Sequence, residues 1–423
     1  MSSTPSVNAS RLLQRFLRYV QIDTAANADS SDYPSSPGQI ELGRMLAEEL
    51  RDMGASSVEH DSHGLVWATI PASLPHGMHA HVPTILFNAH LDTSPEAPSQ
   101  HVRPQVIESY AGGDILLSGT GRSITEESSP ALLALQGHCL ITSDGSTLLG
   151  GDDKAGVAAI MELAQHLLEH PHLPHGSVRI LFTCDEEIGR GAQHMDLRKA
   201  DALAAYTLDG GGQGELEAEN FSADQLLVRA VGNNIHPALG KGRMVNAVRG
   251  LSLLLAELPR DRLSPETTDG REGFLHPYEL RGGVGQAEVK ILLRDFQTAF
   301  LDDYEQLVRQ AAHKVESKIA GLKFEFERQA QYRNMADAIK KLPQVVELAT
   351  RAWDLLGQPY HCGAIRGGTD GAQFSALGLP TPNLSVGQHN IHSLLEFASL
   401  NQMLAAVEHA VKLLELWQAH AVS

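Results

Sequence analysis

The chain has 423 residues, 42% hydrophobic and 20% charged, with a formal net charge of −18. That length exceeds one ordinary core and predicts two domains, and the composition is that of a soluble globular protein. The negative charge argues against nucleic acid or an anionic membrane surface as the main partner, and no apolar run approaches a membrane span. Residues 1–8 lack a basic region followed by an apolar core, so no secretory signal is read there, and the Pro/His-rich stretch 71–81 reads as a connection. Three widely separated cysteines, Cys139, Cys184 and Cys362, suggest reduced thiols and a cytoplasmic setting.

Leu12, Leu13, Phe16, Leu17 and Val20 recur at helical spacing, and Ile40, Met45, Leu46 and Leu50 predict a second helix closing near Gly54. A polar stretch over 23–38 reads as a loop. Residues 64–70 read as a strand, and 82–87 form a short apolar strand that delivers Asn88-Ala89-His90-Leu91-Asp92-Thr93. Residues 94–137 are irregular and polar. A strand over 140–142 and the turn Asp144-Gly145 lead to Gly150-Gly151-Asp152-Asp153-Lys154, and an Ala-rich helix is predicted over 155–168. Strand-type residues Val178, Ile180 and Phe182 then stop at Asp185-Glu186-Glu187, and the apolar run 204–208 ends at Asp209-Gly210-Gly211-Gly212. Strands alternating with helices predict an α/β fold with a largely parallel sheet. His90, Asp152, Glu187 and Asp209 then fall at one edge of it, where open α/β sheets bind ligands.

From Phe221 the rhythm changes to β-α-β-β-α-β, with strands over 226–231, 274–280, 287–293 and 322–326 and helices over 244–258 and 300–319. That order is the split βαβ, ferredoxin-like α+β arrangement, inserted into the first domain. After about Met335 come a helix over 343–356, the glycine-rich Arg366-Gly367-Gly368-Thr369-Asp370-Gly371, a loop bearing His389 and His392, and a final helix over 400–420. The expected division is 1–220 and 335–423 for the catalytic domain and 221–334 for the insert.

Each motif has a bland reading: a helix cap for Asp152-Asp153, a turn for Asp209-Gly210, a solvated surface residue for any one of 21 histidines. Their recurrence at strand ends favours metal chemistry instead. Adjacent carboxylates repel unless a cation sits among them, and imidazole with carboxylate suits a borderline ion such as zinc. Two ions sharing one bridging carboxylate need five ligands, and His90, Asp152, Glu187, Asp209 and His392 supply them. Asp92, two residues after His90, is placed to orient that ring, and Glu186, beside a ligand, to act as general base in amide hydrolysis.

Three other readings compete with this one. A thiol hydrolase using Cys184 is disfavoured because neighbouring carboxylates suppress the thiolate. Gly119-Thr120-Gly121 and Gly283-Val284-Gly285 lack the third glycine and the context of a dinucleotide loop. A non-enzymatic metal-binding protein has no need of Glu186.

The residues His90-Leu91-Asp92-Thr93-Ser94-Pro95, the segment 148–156, Asp185-Glu186-Glu187-Ile188-Gly189 and 206–212 resemble the peptidase T family of tripeptide aminopeptidases. So do Gly232-Asn233-Asn234-Ile235-His236-Pro237, Arg294-Asp295-Phe296 and 365–373. The family belongs to the di-zinc metallopeptidase superfamily that also contains carnosinase, acylase and succinyl-diaminopimelate desuccinylase. The resemblance implies a zinc-peptidase catalytic domain with an inserted lid that also makes a homodimer. It implies two Zn2+ per subunit, with Co2+ or Mn2+ as substitutes: one held by His90 and Asp209, the other by Glu187 and His392, with Asp152 bridging. It further implies Asp92 and Glu186 as supporting and general-base carboxylates, and His236 as a stabiliser of the tetrahedral intermediate. Arg294, Arg366 and Asn234 are the expected substrate-binding residues, with Arg366 preferred for the terminal carboxylate. A cis peptide at Asp152-Asp153 and a short peptide substrate are also implied. Another exopeptidase or an N-acyl amino acid amidohydrolase of the same superfamily is the close alternative.

Overall fold

The structure, a computed structural model, describes residues 6–74 and 82–421. The Pro/His-rich connection read from sequence lies partly outside them. The chain divides into two compact units, one comprising Met1–Ala218, Met335–Gly363 and Thr369–Ser423, the other Glu219–Asn334 with Ala364–Gly368. The short segment bearing Arg366, read from sequence with the catalytic portion, therefore clusters with the insert.

The first unit is built on a mixed sheet. Its middle strands, Val178–Thr183, Ile85–His90, Ala204–Gly210 and Asn383–Ser385, are mutually parallel, while Val66–Ile70 and the missed strand Ser56–His60 add antiparallel pairs on one margin. The parallel strands are almost wholly buried, which is why they read as continuous apolar runs rather than alternating ones. Against them lies the helix Gly151–Glu169, buried nearly all round. Gly156 lets this helix come close: a Cβ there would stand 2.0 Å from the Leu208 carbonyl oxygen, on the strand that ends in Asp209. The helix opens irregularly, with non-helical backbone at Asp152 and Asp153 and a cis peptide between them.

The region 94–137 contains short strands at Gln105–Ile107, Ile115–Leu116 and Ser123–Ile124 and a 3-10 turn at Pro130–Ala134. It wraps its own cluster of Tyr110, Ile115, Leu117, Ile124, Leu132 and Leu135. Gln105–Ile107 also joins a small sheet in the order Gln388–His389, Phe397–Ser399, Leu140–Thr142, Gln105–Ile107, and this sheet anchors the loop that carries His392.

The second unit is a four-stranded antiparallel sheet in the order Phe274–Gly282, Gln286–Asp295, Ser222–Val231, Lys323–Tyr332. Helices Ala247–Glu257 and Phe300–Lys318 pack on it through Leu251, Leu254, Leu301, Val308 and Val315. This is the split βαβ order. The strands alternate buried and half-buried residues, as expected where one face meets helices and the other does not.

Candidate metal centre

Parallel strands put their carboxyl ends on one edge, and three of them deliver the site. His90 ends its strand, Asp209 lies next to the end of Ala204–Gly210, and Glu187 sits on the 3-10 turn Glu186–Ile188 just past Val178–Thr183. Asp152 comes from the opening of the buried helix, and His392 from the loop of the small sheet, at a left-handed φ of 59°.

These five side chains form two groups that share Asp152: His90, Asp152 and Asp209, and Asp152, Glu187 and His392. His90 Nε2 is 3.0 Å from Asp152 Oδ1 and 3.7 Å from Asp209 Oδ1. His392 Nε2 is 3.1 Å from Asp152 Oδ2 and 3.0 Å from Glu187 Oε2. Asp152 thus turns one oxygen to each group.

The electrostatics are those of a site built for cations. Burial and the charge of Asp152 push Asp209 up to about 6 and Glu187 up to about 7. Burial opposes charge on His90, yet its hydrogen bonds to Asp152, Asp209 and Asp92 prevail and raise it well above the usual imidazole range. Hydrogen bonds to Asp152 and Glu187 carry His392 to about 11. Glu187 Oε1 is buried with no hydrogen-bond partner among the described residues. Three carboxylates facing two imidazoles, with the buried Glu187 Oε1 left unpaired, fit a pair of divalent ions.

Asp92 and Glu186 stand beside the groups. The Asp92 carboxylate accepts the backbone N–H of Glu186 and of Glu187, each at 3.0 Å, so it fixes the turn that presents both. His90 Nδ1 is nearer to the Asp92 carbonyl oxygen (3.0 Å) than to its carboxylate (3.4 Å). Burial raises the pKa of Glu186, with Asp370 and Asp209 adding repulsion. Asp185, the first of the acidic triplet, does not face the site. At a φ of 59° it turns its carboxylate to Ser35 N (2.8 Å) and Gln39 Nε2 (2.7 Å), a cradle that sequence reasoning did not foresee. Cys184 is buried and its thiol pKa raised, first by burial and then by Asp92 and Asp185.

Sequence reading missed several supports. Glu396 accepts the backbone N–H groups of Leu149, Gly150 and Asp152 at 2.7, 2.8 and 3.0 Å. Gln388 donates to the Asp209 carbonyl oxygen and Oδ1 at 3.0 and 3.1 Å. Asn383 Oδ1 accepts the Asp209 N–H at 3.1 Å. Asp370 is buried and accepts from Thr183 Oγ1 at 2.5 Å, with Oδ1 unpartnered among the described residues. Asp370 lay in view, in the glycine-rich stretch singled out for its arginine. The others carry no spacing signal, because each contact joins segments distant in sequence.

The remaining expected residues lie in the second unit. His236 is exposed and its Nδ1 accepts from Ala238 N at 3.3 Å; Asn234 is exposed as well. The Arg366 guanidinium is engaged: Nη1 donates to the carbonyl oxygens of Gly270 (2.7 Å) and Glu272 (3.1 Å), Nη2 to Thr268 Oγ1 (3.2 Å), and the plane lies over Phe221. Arg294 is less committed. It makes no ion pair among the described residues, donates one long bond of 3.5 Å from Nη1 to the Arg366 carbonyl oxygen, and leaves its buried Nε unpartnered.

Such a fold, with paired His–carboxylate groups at the carboxyl edge of its sheet, defines a metallopeptidase. The model of peptidase family M20/M25/M40 matches residues 147–416, and that of peptidase family M28 matches the shorter stretch 70–223. The chain belongs to peptidase family M20/M25/M40, in the branch of the peptidase T enzymes. It is 41% identical over 408 residues to peptidase T of Geobacillus thermodenitrificans, covering 96% of this chain and 98% of the relative. To peptidase T of Escherichia fergusonii it is 42% identical over 407 residues, again covering 96% and 98%. Among solved structures, a tripeptidase from Staphylococcus aureus superposes with a TM-score of 0.76 at 20% identity, covering 98% of this chain and all of the other (100%). A dinuclear metal-binding peptidase from the M20 family, of Bacillus subtilis, superposes with a TM-score of 0.65 at 15% identity, covering 96% and 98%. At those identities the superpositions speak for the fold alone.

Proposed function

We propose that this hydrolase, a metallo-aminopeptidase, releases the N-terminal residue of tripeptides with Glu186 as general base. One observation carries the reading: Asp152 offers Oδ1 to the group of His90 and Oδ2 to the group of His392, at 3.0 and 3.1 Å. His90 and Asp209 would hold one zinc ion, Glu187 and His392 the other, with Asp152 between them; Co2+ or Mn2+ would substitute. When bound, such ions lower the pKa of water and polarise a peptide carbonyl. Glu186 accepts the proton of the attacking water as the new C–O bond forms. It then gives that proton to the departing amine as the C–N bond breaks. The turn held by Asp92 keeps Glu186 in register with its neighbour Glu187.

His236 is assigned to stabilise the tetrahedral intermediate. Arg294, Arg366 and Asn234 are assigned to the far end of the substrate. Arg294, with one long hydrogen bond and no ion pair among the described residues, is favoured ahead of the more fully bonded Arg366 as the arginine that grips the terminal carboxylate. The insert, 221–334, is assigned as lid and homodimer contact within the 1–220 and 335–423 frame. Its edge strand Phe274–Gly282 leaves Leu280 52% exposed, in keeping with a partner there. A cytoplasmic setting and the absence of nucleic-acid or membrane partners complete the reading; among the described residues no helix is long and apolar enough to cross a membrane. The names tripeptidase and dinuclear metal-binding peptidase borne by the structural neighbours accord with it.

The test is a panel of di-, tri- and tetrapeptides, with free and acetylated N-termini, offered to the zinc-loaded enzyme. Free tripeptides are expected to be cut fastest, at the first peptide bond. Equal cleavage of acetylated peptides would instead make the chain an N-acyl amidohydrolase.

A further inference from the structure

The loop that bears His392 contains, four residues on, a carboxylate that points back at another proposed ligand. Glu396 is 1% exposed, and its two oxygens are divided. Oε2 accepts the N–H of Leu149 and of Gly150, and Oε1 accepts the N–H of Asp152. A Cβ on the intervening Gly151 would stand 3.1 Å from Glu396 Oε1, so the carboxylate and the backbone of 149–152 are in close apposition. This backbone needs an outside acceptor. It enters the helix Gly151–Glu169 with Gly150 at a φ of 80° and non-helical angles at Asp152, so its N–H groups have no helical partners.

We propose that Glu396 is a positioning residue that locks the bridging Asp152 and the ligand His392 into one rigid unit. Three N–H donors converge on one buried carboxylate, and to its ionised form such hydrogen bonds are stronger than neutral ones. They fix where the Asp152 backbone sits, while the short link from Glu396 to His392 fixes the loop. Each of the two groups contains Asp152, so loosening Glu396 loosens both. The inference rests on the metal reading of the site, and it concerns affinity for the ions, not the chemistry of Glu186.

Glu396→Gln is a specific probe. The amide has one acceptor oxygen where the carboxylate has two. With that oxygen turned to Leu149 and Gly150, its NH2 meets the Asp152 N–H, donor against donor. Glu396→Asp keeps the charge and withdraws it by one methylene. The measurement is a chelator-competition titration of the full chain with Co2+, followed by the visible absorption of the bound ion, with circular dichroism to verify folding. Wild type is expected to take up about two ions. Both variants are expected to bind Co2+ about 10–100-fold more weakly, the range for loss of a group that orients a ligand. They are also expected to show an altered Co2+ spectrum and to regain turnover at excess metal. If wild type bound no Co2+, the metal reading itself would fail. If wild type bound and either folded variant bound with the same affinity and spectrum, the role of Glu396 alone would fail. Failure of both variants to fold would likewise overturn it, by making Glu396 a determinant of the fold.

Discussion

Glu186 and Glu187 are adjacent in sequence and differently placed. Glu187 turns an oxygen to His392 at 3.0 Å, whereas Glu186 enters neither metal group. Glu186→Gln removes the proposed base and leaves all five proposed ligands. Metal analysis and peptide turnover on that variant should show a full metal complement with turnover lowered about 10²–10⁴-fold; unimpaired turnover would rule Glu186 out as the base. The arginines divide in a similar way. The Arg366 fork is filled by loop carbonyls, while Arg294 keeps donors in reserve. Arg294→Ala should therefore weaken hydrolysis of a tripeptide acid about tenfold or more and that of its C-terminal amide much less, the loss of a charge-assisted pair. Equal losses on the two substrates would show that Arg294 does not read the carboxylate. The glycines after Arg366 made it the better choice from sequence. The contacts of its guanidinium with residues 268–272, about a hundred positions away, left no trace there.

At the scale of elements, the terminal helix Leu400–His420 is tied to the helix Gln344–Leu356 by a buried histidine. His409 Nε2–H donates to the Ala349 carbonyl oxygen at 2.8 Å, and its ring stacks on Trp353 at 4.1 Å. Burial, only partly offset by that hydrogen bond, lowers its pKa to about 4. The unfolded chain binds this proton near pH 6.5, so the contribution of His409 is complete above about 6.5 and declines as pH falls towards 4. Between pH 7 and 5 it should amount to about 2 kcal/mol. Urea unfolding should thus show wild type losing about 2 kcal/mol more than His409→Gln over that range, and parallel losses would contradict it. The helix itself was legible from its apolar period, as was the strand–helix alternation of the first unit. The strand Ser56–His60 was not, because it alternates half-buried and exposed residues and offers no apolar run. Residues 94–137 were opaque for a related reason: their strands are two or three residues long, too short for a period to register.

For the whole molecule, the net charge of −18 has a local counterpart, since Asp92, Asp152, Asp153 and Glu396 are all nearly buried in the first unit. Four of the five proposed ligands were legible because His90, Asp152, Glu187 and Asp209 sit at or just past a strand end or at a helix start, where a polar residue interrupts an apolar run, whereas His392 lies in a loop and was reached through the family resemblance. The residues that hold them, Glu396, Gln388 and Asn383, were not, since a supporting contact needs proximity in the fold and no local pattern. The most direct measurement is the metal content of Asp152→Ala after loading with zinc and removal of free ion. If one carboxylate bridges two ions, wild type should hold about two per chain and the variant should lose both, since each group keeps only one histidine and one carboxylate. A variant that still holds two ions per chain would contradict the shared-carboxylate centre.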